Sequence, residues 1–185
     1  MSKVILAITG MPGAGKTTVA NEVSKVLRCP IIRMGDVIRE EAERQRLKLT
    51  DENLGKIMLG LRRRFGPEVV AKRCLNWLAE IDEPIVVVDG IRSYDEVKEF
   101  ERSSRRVVLL SVFAPSRVRF ERLYGRERTD DPQTKRSFRV REQRELSVGV
   151  GSAMAMADYT VLNDGDLADT LRSTRRIVES ISPLL

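Results

Sequence analysis

The chain has 185 residues, of which 42% are hydrophobic and 32% are charged, and its formal net charge is +6. This length and composition favour one globular domain with a substantial core and argue against intrinsic disorder. The sequence contains no histidine, which excludes histidine acid–base catalysis and histidine metal ligands.

Short β-branched runs alternate with longer helical patterns along the chain. The first apolar run, KVILAIT, predicts a buried strand, because it is too short for a membrane span and lacks the cleavage site of a signal peptide. Strands are predicted at 3–9, 30–34, 84–89, 106–113 and 158–163. Helices are predicted at 16–27, 36–46, 51–65, 67–80, 93–102, 115–124 and 165–180, with one more running into the mid-140s. Strands separated by helices imply a three-layer α/β fold with a mostly parallel five-stranded sheet.

Arginine carries most of the positive charge, since 25 of the 33 basic residues are arginine. Its guanidinium group suits phosphate and carboxylate, so the excess charge predicts anionic partners without identifying them. Several basic clusters are nevertheless interpreted as solvated helix faces or strand flanks: Arg62 to Arg64, Arg105 with Arg106, and Arg172 with Arg175 and Arg176. The two cysteines, Cys29 and Cys74, match no metal-site spacing and predict reduced thiols in a cytoplasmic protein.

The stretch GMPGAGKTT fits the phosphate-loop pattern G-x-x-x-x-G-K-[ST], and it follows a predicted strand and opens a predicted helix. Successive backbone N–H groups and the helix N-terminus should surround phosphates there. Lys16 should reach the β- and γ-phosphates, and the Thr17 hydroxyl should ligate Mg²⁺. The residues predicted to bind ATP are Gly10, Met11, Pro12, Gly13, Ala14, Gly15, Lys16, Thr17 and Thr18. The fold is therefore predicted to be that of the P-loop NTPases.

Asp89 ends the apolar run IVVVD. A carboxylate at the carboxyl end of a neighbouring parallel strand lies beside the phosphate loop, where it can hold the Mg²⁺ shell. An aspartate after a strand can also be a turn or cap residue. Beside a phosphate loop we favour the metal role.

Two arginines, Arg39 in MGDVIREE and Arg92 in DGIRS, come just after predicted strands. Because the carboxyl ends of parallel strands share one edge of the sheet, these side chains could grip a second phosphate group that faces the γ-phosphate. The guanine-reading motif N-K-x-D of GTPases is missing, which argues against a GTPase.

On these residues the sequence resembles the adenylate-kinase-like nucleoside monophosphate kinases, and it looks most like their small archaeal relatives. The resemblance covers most of the chain except about 42–82. It implies that the acceptor and its phosphate are bound by Gly35, Asp36, Arg39, Gly90 and Arg92. The segment ADYTVLNDGDL is similar to the loop that packs on the donor adenine in these enzymes and in dephospho-coenzyme A kinases. On the donor side the resemblance therefore adds Arg122, Asn163, Asp164 and Gly165.

The stretch GRERTDDPQTKRSFR contains four arginines in fifteen positions and corresponds to the lid of these kinases. The resemblance implies that Arg126, Arg128 and Arg139 clamp the transferring phosphoryl group. Asp131 is predicted to cap the following helix, with Pro132 at its first position. Arg136 shares a helix face with Arg139, but it is interpreted, together with Arg141, as part of a solvated, salt-bridged surface.

Three departures from the family pattern leave the acceptor base open: the long lid insertion is missing, the acceptor-adenine glutamine has no match, and 42–82 is not recognisable. The predicted organisation is one kinase domain over 1–185. Its core is 1–34, 83–124 and 148–185, its helical acceptor-binding subdomain is about 35–82, and its short lid is about 125–147.

The predicted function is that of a cytoplasmic, ATP- and Mg²⁺-dependent phosphotransferase that acts on a nucleoside monophosphate such as AMP. No membrane partner is expected. One alternative is dephospho-coenzyme A as the acceptor, against which Arg39 counts because it matches the monophosphate kinases. Another is a slow ATPase that acts as a switch in RNA or ribosome assembly. The net charge of +6 leaves room for it, although a nucleic-acid partner is not expected.

Overall fold

The computed structural model describes residues 3–126 and 128–184, and this part of the chain forms five strands and nine α-helices. Residues 1, 2 and 185 of the predicted core and residue 127 of the predicted lid lie outside it. The strands are β1 (Val4–Thr9), β2 (Ile31–Arg33), β3 (Ile85–Ile91), β4 (Arg106–Phe113) and β5 (Tyr159–Leu162). The helices are α1 (Lys16–Leu27), α2 (Met34–Arg44), α3 (Asp51–Phe65), α4 (Val69–Glu80), α5 (Tyr94–Ser103), α6 (Ser116–Tyr124), α7 (Lys135–Val148), α8 (Val150–Ala155) and α9 (Leu167–Ile181).

All paired strands are parallel, in the order β2-β3-β1-β4-β5. The central strand β1 is buried along its whole length. Ile5 and Ala7 belong to the core on one face of the sheet, while Leu6 and Ile8 belong to the core on the other. Because successive side chains of a strand point to opposite faces, this continuous apolar run requires helices on both sides. The predicted three-layer fold is confirmed.

One face of the sheet is covered by α1 and α9, and the other by α2 to α5 with α8. The helical segment predicted as an acceptor-binding subdomain shares its core with the sheet, because Val37, Met58 and Cys74 are in the same buried cluster as Val88. Both cysteines are free and buried, and burial raises the pKa of the Cys74 thiol to about 12. No helix within the described residues is long and apolar enough to cross a membrane.

Helix α7 begins later than predicted, and Asp131 is not its cap. Thr134 has extended backbone, its hydroxyl accepts a hydrogen bond from Ser137 N–H, and its own backbone N–H donates to the Ser137 hydroxyl. Asp131 is buried, and its carboxylate accepts hydrogen bonds from the Arg126 side chain and from the backbone N–H of Arg128. A carboxylate already engaged on the preceding loop cannot serve the first turn of the helix. Helix α8, which follows the left-handed Gly149 at the end of α7, was not predicted at all.

Strand β3 extends two residues beyond its predicted end at Asp89. Its pairing with β1 shifts register there, so that Ile8 pairs with Asp89 whereas Thr9 pairs with Ile91. The residue between them, Gly90, has φ +111, which a glycine adopts without strain. The irregularity lets both Asp89 and Arg92 line the same cleft at the carboxyl edge of the sheet.

Candidate active site

The phosphate loop connects β1 to α1 and depends on glycine at two tight positions. Gly13 and Gly15 have φ values of +80 and +96. A Cβ at Gly15 would lie 2.1 Å from Asn163 Nδ2, and one at Gly13 would lie 2.6 Å from the carbonyl oxygen of Arg119. No side chain caps the N-terminus of α1, so its first N–H groups are available to an anion.

Lys16 is the first residue of α1, and its side chain curls back over the loop. Its Nζ donates hydrogen bonds to the carbonyl oxygens of Gly10 (2.8 Å) and Met11 (3.1 Å). Burial of the ammonium group lowers the pKa of Lys16 to about 8, an effect that the negative charge of Asp89 opposes and the positive charge of Arg92 reinforces. The lysine therefore lies where a polyphosphate would relieve its unfavourable surroundings.

Thr17 and Asp89, the two predicted metal ligands, are in contact. The Thr17 hydroxyl donates to Asp89 Oδ2 at 3.0 Å, while Asp89 Oδ1 is buried and has no hydrogen-bond partner among the described residues. No group of three acidic or cysteine side chains in that part of the chain could hold a metal alone. Magnesium usually takes one or two protein oxygens and completes its shell with water and phosphate oxygens. A hydroxyl beside an unpartnered carboxylate oxygen fits such an ion.

The phosphate loop forms one wall of a cleft of about 670 Å³. Lys16 and six arginines line it, but only three aspartates do, so positive charge exceeds negative charge. The arginines are Arg33, Arg39, Arg92, Arg126, Arg128 and Arg141, and the aspartates are Asp36, Asp89 and Asp130. Such a cleft attracts polyanionic ligands.

The predicted acceptor residues line the same cleft as the phosphate loop. Gly35, Asp36, Arg39, Gly90 and Arg92 all line it. Arg39 Nη1 donates to Asp36 Oδ1 at 3.0 Å. The guanidinium of Arg92 forms an ion pair with the buried carboxylate of Glu145, which lies on α7. The structure thus brings both candidate phosphate-binding arginines to the cleft.

Two sequence comparisons place the chain among known proteins. Residues 9–139 match the model of a family described as an AAA domain. A UPF0200 protein of Thermococcus gammatolerans is 39% identical over 182 residues, which cover 96% of this chain and 95% of the relative. The chain belongs to the UPF0200 family.

Solved kinases share the fold of this UPF0200 chain. A shikimate kinase from Acinetobacter baumannii, in complex with shikimate, superposes with a TM-score of 0.63 over 99% of this chain and 94% of its own, at 16% identity. A gluconokinase from Sinorhizobium meliloti gives a TM-score of 0.54 over 98% and 95% of the two chains, also at 16% identity. At this identity the likeness shows the fold alone, and that fold is the P-loop kinase-like one.

In this UPF0200 chain the predicted adenine loop contacts the phosphate loop through Asn163. Arg122 donates to the Asn163 carbonyl oxygen (2.9 Å) and to its side-chain oxygen (3.0 Å). Asn163 Nδ2 in turn donates to the carbonyl oxygen of Ala14 at 2.8 Å. Asp164 and Gly165, which follow, are exposed. Arg122 and Asn163 therefore hold the phosphate loop in place through these hydrogen bonds. Contact between the segment 157–167 and adenine stays a prediction.

The lid segment brings two of its three predicted arginines to the cleft. Arg126 and Arg128 line it. Arg126 makes a two-point ion pair with the buried Asp131, with Nε 2.9 Å from Oδ2 and Nη2 2.5 Å from Oδ1. Arg128 donates to the same carboxylate through its backbone N–H, at 3.0 Å, and not through its side chain. Asp131 thus organises the loop that carries both arginines.

Arg139 lies away from the cleft, which corrects its predicted place. It is exposed on the outer face of α7, where it lines a shallow surface depression with Arg136. Neither of these arginines has an ion-pair partner within 3–126 or 128–184. Residues two apart on a helix point in nearly opposite directions, so Arg141 faces inward and lines the cleft instead.

Arg141 was predicted to be solvated, yet its side chain is only 12% exposed. Nε lies 3.3 Å from Asp51 Oδ1, and Nη1 donates to the Asp130 carbonyl oxygen at 2.7 Å. Its position could have been inferred from Phe138, which is buried and stands three residues earlier on the same helix face. The cleft is therefore lined by Arg126 and Arg128 from the loop before α7 and by Arg141 from α7 itself.

Arg62 is also not the solvated residue that was predicted. Its side chain is only 9% exposed and forms an ion pair with Glu96, which is fully buried. Its neighbours Arg63 and Arg64 are exposed, as expected for that face of α3. Sequence reasoning also missed Glu96 and Glu145. The serine three residues before Glu96 signals a capping box, whereas nothing local distinguishes Glu145 from the other charges of α7.

Proposed function

We propose that this UPF0200 chain is an ATP-dependent phosphotransferase whose acceptor carries a phosphate, with a nucleoside monophosphate of the AMP type as its substrate. The observation that supports this most is the set of arginines, Arg39 and Arg92 among them, that line the same cleft as the phosphate loop. A triphosphate needs the loop and Lys16. Arg39 and Arg92 are further cations in the same cleft, and they would have no ligand unless a second anion binds there.

On the donor side, the backbone N–H groups of the loop and of the first turn of α1 hold the phosphates of ATP, and Lys16 moves from the loop carbonyls onto the outer phosphates. Thr17 and Asp89 would hold Mg²⁺, which supplies neutralising charge on the phosphate oxygens when bound. Arg122 and Asn163 keep the loop in place behind the nucleotide.

On the acceptor side, Arg39 and Arg92 orient the acceptor phosphate, so that one of its oxygens attacks the γ-phosphorus of ATP while the bond to the β–γ bridging oxygen breaks and ADP leaves. A phosphate oxygen is already ionised near pH 7, so no general base is required. Arg126, Arg128 and Arg141 then stabilise the negative charge of the transferring group. In this scheme 35–82 is the acceptor-binding unit, 125–147 is the lid, and the enzyme works in the cytoplasm.

The deciding experiment is an acceptor panel of nucleoside monophosphates and dephospho-coenzyme A, each with ATP and Mg²⁺ and read by formation of the phosphorylated product. Transfer to at least one monophosphate supports the proposal. Transfer to dephospho-coenzyme A alone would replace the acceptor. ATP hydrolysis that no acceptor accelerates would replace the kinase with a slow ATPase.

A hydroxyl acceptor, as in dephospho-coenzyme A, is favoured by one observation: the carboxylate of Asp36 lines the cleft beside Arg39. A carboxylate in that place could act as a general base for an alcohol, a role worth about 10²- to 10⁴-fold. Asp36→Asn separates the two cases. A phosphate acceptor predicts a loss of kcat below about tenfold, whereas a hydroxyl acceptor predicts a loss of at least 10²-fold.

A further inference from the structure

Glu145 is a buried carboxylate in the lid helix whose main partner is an acceptor arginine. It is 3% exposed and forms an ion pair with Arg92, which belongs to the turn between β3 and α5. Burial raises the pKa of Glu145, but the positive charges of Arg92, Arg141 and Lys16 outweigh it and hold that pKa below its ordinary value. The residue is therefore ionised and fixed at the border of the cleft.

Arg92 is held at a second point, by Glu96. The Glu96 carboxylate accepts hydrogen bonds from the backbone N–H groups of Arg92 (2.7 Å) and Ser93 (3.3 Å), and its other oxygen is paired with Arg62. Glu96 thus fixes the backbone of Arg92, whereas Glu145 fixes the direction of its guanidinium group. The guanidinium has five N–H donors, so pairing with one carboxylate leaves others for a ligand.

The end of α7 is built onto the same turn. Gly149, with φ +112, ends the helix, and a Cβ placed there would lie 3.4 Å from Ser93 Cβ and 3.9 Å from the Arg92 carbonyl oxygen. Glu145 stands one turn earlier on α7. Helix α7 therefore runs from the predicted lid to the acceptor arginine, and Glu145 is the charge at which the two meet.

We propose that Glu145 is a positioning residue that orients Arg92 towards the acceptor phosphate and makes acceptor binding depend on the position of α7. The proposal rests on the proposed function. A long, flexible arginine side chain binds a phosphate well only when its planar fork is held in advance. Glu145 supplies that constraint from the lid helix, so a movement of α7 would release Arg92.

The test compares Glu145→Gln with a matched control, Glu22→Gln. Glu22 is also buried and paired with an arginine, Arg175, but it lies between α1 and α9 and lines no part of the cleft. For Glu145→Gln we expect the acceptor KM to rise about 10- to 100-fold, which is the range of a charge-assisted hydrogen bond. The KM for ATP should change less than about threefold, and Glu22→Gln should leave the acceptor KM unchanged. An equal rise in both variants, or a change confined to ATP, would overturn the proposal.

A double-mutant cycle with Arg92→Ala shows whether Glu145 acts through Arg92. In the Arg92→Ala background, Glu145→Gln should add little to the acceptor KM, because the group that it orients is gone. Glu145→Asp should restore part of the affinity if the carboxylate is what matters. Independent, multiplicative effects of the two substitutions would contradict a positioning role.

A separate measurement distinguishes failure of this proposal from failure of the proposed function. If the wild-type protein transfers phosphate to no acceptor in the panel, the proposed function is wrong, and calorimetric titration with inorganic phosphate then decides the role of Glu145. Phosphate binding that is weakened alike by Glu145→Gln and Arg92→Ala supports the proposal. A phosphate affinity that Glu145→Gln leaves unchanged, or the absence of phosphate binding to the wild-type protein, overturns it.

Discussion

The two walls of the cleft place their charges in different ways. The phosphate-loop wall comes from the single stretch 10–18, and most of what it offers a ligand is backbone N–H. The arginine wall, which consists of Arg39, Arg92, Arg126, Arg128 and Arg141, takes its side chains from α2, from the turn after β3 and from the lid. The first wall can be recognised from one motif, whereas the second exists only once distant segments have come together.

The arginine wall needs partners that the loop does not. Arg39 is paired with Asp36, Arg92 with Glu145, Arg126 with Asp131, and Arg141 with Asp51 and Asp130. An ion pair of this kind contributes little to stability where it is exposed, as in Arg39–Asp36. Its value here is that it orients a long cation before the ligand arrives. We therefore expect substitutions in the phosphate loop to abolish phosphoryl transfer. Substitutions of the arginines should weaken it by smaller factors that differ from residue to residue.

The largest effect is expected for Lys16→Ala. Lys16 lines the cleft, and its removal takes away the cation that should follow the transferring phosphate, so we expect kcat/KM to fall by at least about 10³-fold. The fold should persist, because among the described residues the Lys16 ammonium group donates hydrogen bonds only to two loop carbonyls. Steady-state phosphoryl transfer measures the loss of activity, and circular dichroism checks that the fold persists. Wild-type turnover in a folded variant would show that the loop does not carry the chemistry.

The next effect separates the two faces of α7. Arg141→Ala should lower kcat and kcat/KM together by roughly 10²- to 10³-fold, because a cation on the transferring group acts mainly in the transition state. Arg139→Ala should cost less than about threefold, because that side chain is exposed on the outer face. Single-turnover rates of the two variants measure the difference.

Arg136→Ala is the control for the second comparison, since Arg136 shares the outer depression with Arg139. Its loss should match that of Arg139→Ala. If all three substitutions reduce the rate by one similar factor that disappears at high salt, α7 contributes only a diffuse positive field. A larger loss for Arg139→Ala than for Arg141→Ala would mean that the outer face reaches the phosphates in a closed state.

The third effect concerns the acceptor wall alone. Arg39→Ala should raise the acceptor KM by about 10- to 100-fold while the affinity for ATP changes little, because Arg39 belongs to α2 and not to the phosphate loop. Isothermal titration with ATP and initial rates against acceptor concentration make the comparison. Weakened ATP binding with an unchanged acceptor KM would reverse the assignment of the two walls.

The sequence predicted the donor side well because its signals are local. A glycine-rich loop between an apolar run and an amphipathic run leaves few alternatives, and the five strands, including β4 to the residue, follow from β-branched runs. The lid prediction failed at Arg139 for a physical reason. Arginine spacing on a helix does not say which face turns inward, and that choice is made by the packing of Phe138 under Phe120 on α6.

The roles of the buried carboxylates could not be predicted from the sequence, for a related reason. Glu145 and Arg92 are far apart in the sequence, and a glutamate among the many charges of α7 carries no mark of burial. The pair forms because α7 ends against Ser93, a contact set by the left-handed Gly149. Arg62 was misjudged likewise, since an arginine in a basic run is usually solvated unless a buried acid such as Glu96 meets it.

The smallest effect is a pH dependence that belongs to the loop wall. Because burial lowers the pKa of Lys16 to about 8, the free enzyme loses this charge as the pH rises through 8, and kcat/KM for ATP should fall about fourfold between pH 7 and pH 8.5. Once ATP is bound, its negative charge favours protonated Lys16, so kcat itself should stay flat over that range.

The stability of the free protein should change with pH in the opposite sense to kcat/KM. Between about 8 and 10.5 the unfolded chain binds the proton that the folded lysine has lost, so the stability of the wild-type protein relative to Lys16→Ala should increase with pH. Thermal unfolding of both proteins at pH 7 and pH 9.5 checks this sign. A wild-type protein that loses stability relative to Lys16→Ala over the same interval would mean that Lys16 is charged and favourably paired in the folded state.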